Sequence, residues 1–324
     1  MSASSVFGLI PHEALGDRES LWAQSSDFLE WQTGRGRSPL TVTGQRKRLR
    51  PFLRWCEGQG LLQGCEVSRE DLELYAQWVH RYRKADGEPL RARTRHGYLH
   101  VVVQLFGWLH RERRILVDPA VHLELPRLGR SLPGVLTAGE AERVLAQPDV
   151  SRGYGLRDRA ILELLYSTGV RRGELVRLKL EDLDAGRGVA FVWQGKGRKD
   201  RVVPVGERAL DWVSSYLSAV RRLLVREPDC GALFLSRLGR ALSANHLTAV
   251  VSGYVKAAGL GQRGACHLFR HTAATLMLEG GADTRHVQEF LGHACLDSTQ
   301  VYTHVAIGSL KAAHAAAHPA EVQR

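Results

Sequence analysis

The 324-residue sequence is poor in several things that would otherwise define its class. Cysteine is scarce. Its five residues, Cys56, Cys65, Cys230, Cys266 and Cys295, are odd in number and widely spaced, which fits reduced thiols and not a disulfide framework. Neither Cys-x-x-Cys nor His-Glu-x-x-His occurs, so the histidines near Cys266 and Cys295 make no recognisable zinc site and no metal is expected. No run approaches the roughly 20 apolar residues of a membrane span. The opening Met1-Ser2-Ala3-Ser4-Ser5-Val6 also lacks the basic and apolar regions of a secretory signal, so the expected compartment is the cytoplasm, with no membrane partner. The Gly-x-x-x-x-Gly-Lys-Ser/Thr spacing of a nucleotide-binding loop is missing too.

Acidic residues are scarce where basic ones are dense. The net charge is +11. Residues 1–30 carry one Arg against five acids, whereas residues 31–133 carry nineteen Lys and Arg against ten, and residues 134–324 carry twenty-five against nineteen. The excess is concentrated in the first half, which points to a polyanionic partner.

Hydrophobic periodicity predicts four helices in that half. Residues 19–33 offer Leu21, Trp22, Phe28 and Leu29 for burial, and 41–58 place Leu49, Phe52, Leu53 and Cys56 on one face. A helix after Ser68, capped through Asp71, buries Leu72, Tyr75, Ala76 and Val79; a fourth, about 94–110, buries Leu99, Val102, Val103 and Phe106. Arg46, Arg50 and Arg54 recur every four residues beside Lys47, a stripe that serves either as a solvated face or as a contact to a nucleic-acid backbone. Arg91, Arg93 and Arg95 crowd the start of the fourth helix, where the helix dipole also favours phosphate. Periodicity then fades through the Pro- and Arg-containing stretch 118–134. The division expected is an extension at 1–18, a helical domain at 19–117, a linker at 118–134, a larger domain at 135–305 and a tail at 306–324.

The larger domain reads as mostly helical with a small antiparallel hairpin. Thr137-x-x-Glu140 caps a helix through Leu145, and a buried helix from Leu156 stops at Gly169. There Arg171 is presented between two helices, with Glu174 placed either to orient it or simply to pair with it. Val189–Val192 and Arg201–Val205 read as strands around Gly195-Lys196-Gly197, a third short strand is expected at 233–235, and helices near 207–226 and 243–258 follow. Arg270 and His271 are expected to begin a helix ending near Glu279, and Asp283 to cap one ending at Gly292, with His293 just beyond and Tyr302 nine residues further on.

Five blocks together, Ser167-Thr168-Gly169-Val170-Arg171-Arg172-Gly173-Glu174-Leu175, Gly195-Lys196-Gly197-Arg198-Lys199, His267-Leu268-Phe269-Arg270-His271, Leu291-Gly292-His293 and Thr299 to His304 around Tyr302, resemble the tyrosine recombinase (phage integrase) family, and most closely its Xer-type members. The fold class this implies is mainly α: a four-helix core-binding (SAM-like) bundle followed by a larger, mostly helical α+β catalytic domain with a small antiparallel sheet. The resemblance implies that Arg171 and Arg270 clamp a scissile phosphate, Lys196 protonates the leaving 5′ oxygen, His267 handles the tyrosine proton, His293 adds a hydrogen bond to the phosphate and Tyr302 is the nucleophile, with Glu174 and His271 in support. Arg172 competes with Arg171 for the first position, and the family's spacing to Glu174-Leu175 selects Arg171. Partners so implied are double-stranded DNA carrying a recombination site and further recombinase subunits, either a homo-tetramer on two sites or a hetero-tetramer with a second recombinase. The tail helix at 307–317 is the candidate for docking on a neighbour.

The chemistry asks for such a set. A phenol of pKa about 10 is a poor nucleophile without a base and a positive field. An attacked phosphodiester gains charge in its transition state, which preorganised guanidiniums stabilise by bidentate hydrogen bonds. Neither metal nor ATP is then required, and no cofactor is expected. The competing expectations are a metal-dependent nuclease using His267, His271 and His293, and a DNA-binding module without catalytic activity.

Overall fold

The computed structural model describes residues 19–129, 134–193, 200–261 and 264–292. The chain divides into two compact units, Met1–Arg130 and Ser131–Arg324.

The first unit is built on four helices, α1 Leu21–Gly34, α2 Pro39–Gly58, α3 Arg69–Arg81 and α4 Ala92–Arg111. Ser20, Ser38 and Ser68 each accept a first-turn backbone N–H, satisfying donors that a helix start leaves open. The Ser68–Asp71 reciprocal cap forms: Ser68 N–H reaches Asp71 Oδ2 at 2.9 Å, and Asp71 N–H reaches Ser68 Oγ at 3.1 Å. The apolar faces read from the periodicity meet in one core, in which the Phe52 ring lies 5.0 Å from Tyr75 and 5.9 Å from Phe106, both edge-on.

The second unit opens with α5 Ala138–Leu145, capped by Thr137 and Glu140 as expected, and α6 Gly153–Thr168. Ala160, Ile161, Leu162, Leu164 and Leu165 are all buried, so α6 is enclosed on more than one side, packing on α5 and on two helices that follow. After the single-turn α7 Arg172–Leu175 come β1 Leu183–Asp184, β2 Val189–Val192 and β3 Arg201–Pro204, an antiparallel sheet in the order β1-β2-β3 with Ala190 opposite both Leu183 and Val203. Then follow α8 Glu207–Tyr216, extended by a π turn at Leu217–Arg221, α9 Ala244–Ala257, α10 Cys266–Glu279 and α11 Thr284–Leu291. The two-unit, mainly helical fold with a small antiparallel sheet is the class the sequence implies.

Three local expectations are corrected. Residues 233–235 do not form a strand. Lys179 pairs with Ala232, through Leu180 N–H to the Gly231 carbonyl and Leu233 N–H to the Leu178 carbonyl, and Leu235 pairs with Ala241, but each is an isolated bridge; Leu235 N–H goes to the Tyr216 hydroxyl, so the first pairing does not continue. The helix expected from Arg270 starts at Cys266; Ala265 supplies no side-chain cap, so no sequence signal marks that start. The strand β1 was not expected at all, since two residues are too few to show an alternation.

Candidate active site

Two helix ends meet here. α6 stops at Gly169 (φ +56°) and α11 at Gly292 (φ +63°), both in the left-handed conformation that glycine adopts most easily. A Cβ on Gly169 would lie 3.0 Å from the Phe290 ring, so the close packing of the two ends also demands glycine. Helix C-termini expose unpaired carbonyls at the negative end of the dipole, and guanidiniums answer both.

Three arginines do so in the last turn of α11. Arg201 Nε donates to the Phe290 carbonyl (3.3 Å), Arg270 Nη2 to that of Leu291 (2.5 Å) and Arg171 Nη2 to that of Gly292 (3.3 Å). Arg270 also reaches the Gly169 carbonyl with Nη1 at 2.6 Å, so its buried guanidinium bridges the two helix ends.

Glu174 ties the group together. Its carboxylate, 2% exposed, accepts the Arg171 backbone N–H (2.8 Å) and Nη1 (2.9 Å), and receives Arg201 Nη1 (3.0 Å) and Nη2 (2.7 Å) as a fork. Burial pushes this carboxyl up, but the hydrogen bonds and charge of Arg201, with those from Arg171, outweigh it and hold the pKa at about 2. Glu174 is therefore an anion throughout the physiological range. Arg172, the rival for the first arginine position, is engaged elsewhere, with Nη1 on Thr248 Oγ1 at 2.8 Å.

His267, Arg270 and His271 share α10, and the two imidazole rings lie 6.3 Å apart. Burial, then the positive charge of Arg270, Arg172 and Arg171, lowers the His267 pKa below its usual value. His271 is lowered to about 4 by burial, His267 and Arg270. Both are neutral at pH 7, and a neutral imidazole beside cations can accept a proton. The buried Cys266 thiol is pushed up to about 11 by desolvation and is no nucleophile.

Of the residues expected at the site, Arg171, Glu174, His267, Arg270 and His271 come together here. Lys196, His293 and Tyr302 lie outside the described residues. Arg201 was missed, having been read only as the start of a strand. The signal was available: it alternates with the fully buried Val203 on β3, and an arginine on the inward face of a strand needs a buried acid.

In the first unit Lys47, Arg50 and Arg54 line a groove of about 600 Å³ with Trp55, Trp78, Tyr82 and Tyr98. Arg46 is half-buried and is not part of that lining. Arg91 and Arg93 are exposed at the start of α4, and Arg95 lies against His80 of α3.

Residues 134–308 match the phage integrase family. The tyrosine recombinase XerC 2 of Ralstonia nicotianae is 48% identical over 291 residues, 89% of this chain and 83% of that protein. The tyrosine recombinase XerD of Vibrio cholerae is 35% identical over 308 residues, 95% of this chain and 99% of its own. Among solved structures, XerH site-specific recombinase bound to a palindromic difH substrate shares the fold at 23% identity, with a TM-score of 0.69 over 94% of this chain and 87% of that one. With a family match over more than half of its length and relatives alike along nearly all of it, this chain belongs to the phage integrase family of tyrosine recombinases.

Proposed function

We propose that this site-specific recombinase cleaves and rejoins DNA through a 3′-phosphotyrosine, with Arg171 and Arg270 as the phosphate clamp. The observation that carries the reading is the convergence of the two guanidiniums on consecutive carbonyls, Leu291 and Gly292, which brings both cations to one corner. Tyr302 Oη attacks the scissile phosphorus while neutral His267 takes its proton. The bond to the 5′ oxygen breaks, and that oxygen takes a proton from Lys196. His293 adds a hydrogen bond to the phosphate, and Glu174 and His271 support the arginines and His267. The phosphotyrosine ester keeps the energy of the broken bond, so a 5′ hydroxyl from a partner duplex reverses the step and exchanges strands without metal or ATP. Family membership does not favour the nuclease or the inactive binding module.

The division proposed is a DNA-holding domain at 19–117 and a catalytic domain at 135–305, joined by the linker 118–134, with 1–18 as an extension and 306–324 as a tail for contact between subunits. Arg46, Lys47, Arg50, Arg54, Arg91, Arg93 and Arg95 hold the duplex backbone. The working assembly is a tetramer on two sites, of this chain alone or with a second recombinase, acting in the cytoplasm; no described helix is long and apolar enough to cross a membrane. The test is a nicked suicide duplex incubated in EDTA. A covalent adduct on the 3′ side is expected, and Tyr302→Phe abolishes it while DNA binding survives. Cleavage that persists in Tyr302→Phe, or that requires added metal, would sink the mechanism.

A further inference from the structure

Arg201 stands outside the set of residues given roles above, yet it makes more bonds to Glu174 than Arg171's side chain does. Both of its terminal nitrogens lie on the carboxylate, at 3.0 and 2.7 Å, and its Nε lies on the Phe290 carbonyl at 3.3 Å. It is one-tenth exposed, which leaves its fork little freedom. The chain has shaped itself around it: a Cβ on Gly292 would fall 2.8 Å from Arg201 Cδ and 3.1 Å from Nε, so the end of α11 is bare where this side chain passes.

The bonding has a direction. Glu174 has two oxygens, and each serves one Arg201 nitrogen and one group of Arg171, the side chain on Oε1 and the backbone on Oε2. Arg171 alone would give each oxygen one bond, and its own guanidinium would meet the carboxylate through Nη1 only, free to tilt about that single contact. Held by the fork as well, the carboxylate presents Oε1 to Arg171 at one angle only, and the Arg171 guanidinium inherits that angle. The Phe290 bond places the same fork against the α11 end that Arg171 also grips at Gly292.

We propose that Arg201 is a positioning residue for strand cleavage: acting through Glu174, it sets the orientation in which Arg171 meets the scissile phosphate. The proposal rests on the reading of Arg171 as part of the phosphate clamp. Lysine cannot replace Arg201, because one ammonium cannot span both carboxylate oxygens and the Phe290 carbonyl.

The test is single-turnover cleavage at saturating protein on three suicide duplexes. One carries the ordinary phosphodiester. The second carries a methylphosphonate at the scissile position, which removes the charge that a guanidinium clamp answers. The third carries a 5′-bridging sulfur, whose thiol pKa of about 8.5 lets it leave without an acid. Arg201→Ala and Arg201→Lys are expected to cleave the phosphodiester on the order of 100-fold more slowly than the wild type, the cost of a small misplacement of a reacting group, with unchanged DNA affinity. Most of that deficit should vanish on the methylphosphonate and remain on the bridging-sulfur duplex. Arg201→Lys, which keeps a cation beside Glu174, supplies the reading if Arg201→Ala does not fold. Arg171→Ala runs in parallel. If Arg171→Ala is relieved by the methylphosphonate and the Arg201 variants are not, or if Arg201→Lys cleaves at the wild-type rate, the positioning role is overturned. If neither Arg171→Ala nor the Arg201 variants are relieved, the clamp assignment of Arg171 has failed, and this proposal with it.

Discussion

Buried arginine ion pairs set the second unit apart from the first. In the first, the ion pairs are exposed: Arg69 with Glu73, Arg111 with Glu112 and Arg114 with Asp27 all lie in solvent, and Arg35 and Arg111 rest over the Trp31 ring. In the second, exposed pairs occur as well, Arg152 with Asp149 and Arg208 with Glu142, but Arg157 with Asp158, Arg159 with Glu163 and the Arg171–Glu174–Arg201 group are largely withdrawn from water, and Arg270 is held by carbonyls at two helix ends. An exposed cation is screened by salt and contributes little to stability, but it is free to meet a phosphate backbone. A buried one is expensive to leave unpaired, and its direction is set before substrate arrives. The first arrangement suits holding a polyanion of any sequence, the second suits acting on one phosphorus.

The contrast can be broken by substitution, and the largest effect belongs to Glu174. Glu174→Met leaves two guanidiniums without their carboxylate and is expected to lower stability by about 3–5 kcal/mol, read by urea denaturation. A loss no larger than that of an exposed pair would erase the distinction between the units. Next comes Arg270→Gln, expected to slow cleavage by about 10²–10³-fold while DNA affinity changes little; a loss confined to binding would make Arg270 a holding residue like those of the first unit.

Acid should separate the units as well. His271 has its pKa lowered to about 4 from 6.5, so the unfolded chain binds its proton first, and stability falls as pH drops from 6.5 to 4. Glu174, at about 2 against 4.5, adds a second loss below pH 4.5 that is complete only near pH 2. Denaturation of His271→Asn at pH 7, 5.5 and 4 should show a flatter decline than the wild type; parallel curves would remove His271 from the account.

Smaller effects are expected in the first unit. Arg50→Ala or Arg54→Ala should weaken DNA binding and reduce the slope of log K against log salt by about 1; an unchanged slope would assign the groove to solvent. Smallest is Glu73→Gln, which opens an exposed pair and should cost under about 1 kcal/mol by the same denaturation assay.

Much of this was legible because it is local. The buried faces of α2, α3 and α4, the caps at Ser68, Thr137 and Asp283, and the glycine stops at Gly169 and Gly292 follow from spacing of three to seven residues and from what each side chain does to its own backbone. Arg171, Arg270, His267 and His271 were legible for another reason, the motif blocks that carry the family resemblance; Arg201 was not. What failed was either too short, as at β1, or dependent on a distant partner. Residues 233–235 look like a strand, but the Tyr216 hydroxyl takes the Leu235 N–H that a continuing ladder would need.

By itself, then, the sequence determined the helices, the basic first half and the motif blocks that carry the family resemblance, since these depend on neighbours along the chain. Only the tertiary structure decided that the end of α11 would offer three consecutive carbonyls to three arginines from different elements, and that Arg201 would join them. Arg171, Arg201, Arg270 and Gly292 are far apart in the chain. No local propensity brings them together; burial of Glu174 and the unpaired carbonyls of two helix ends do.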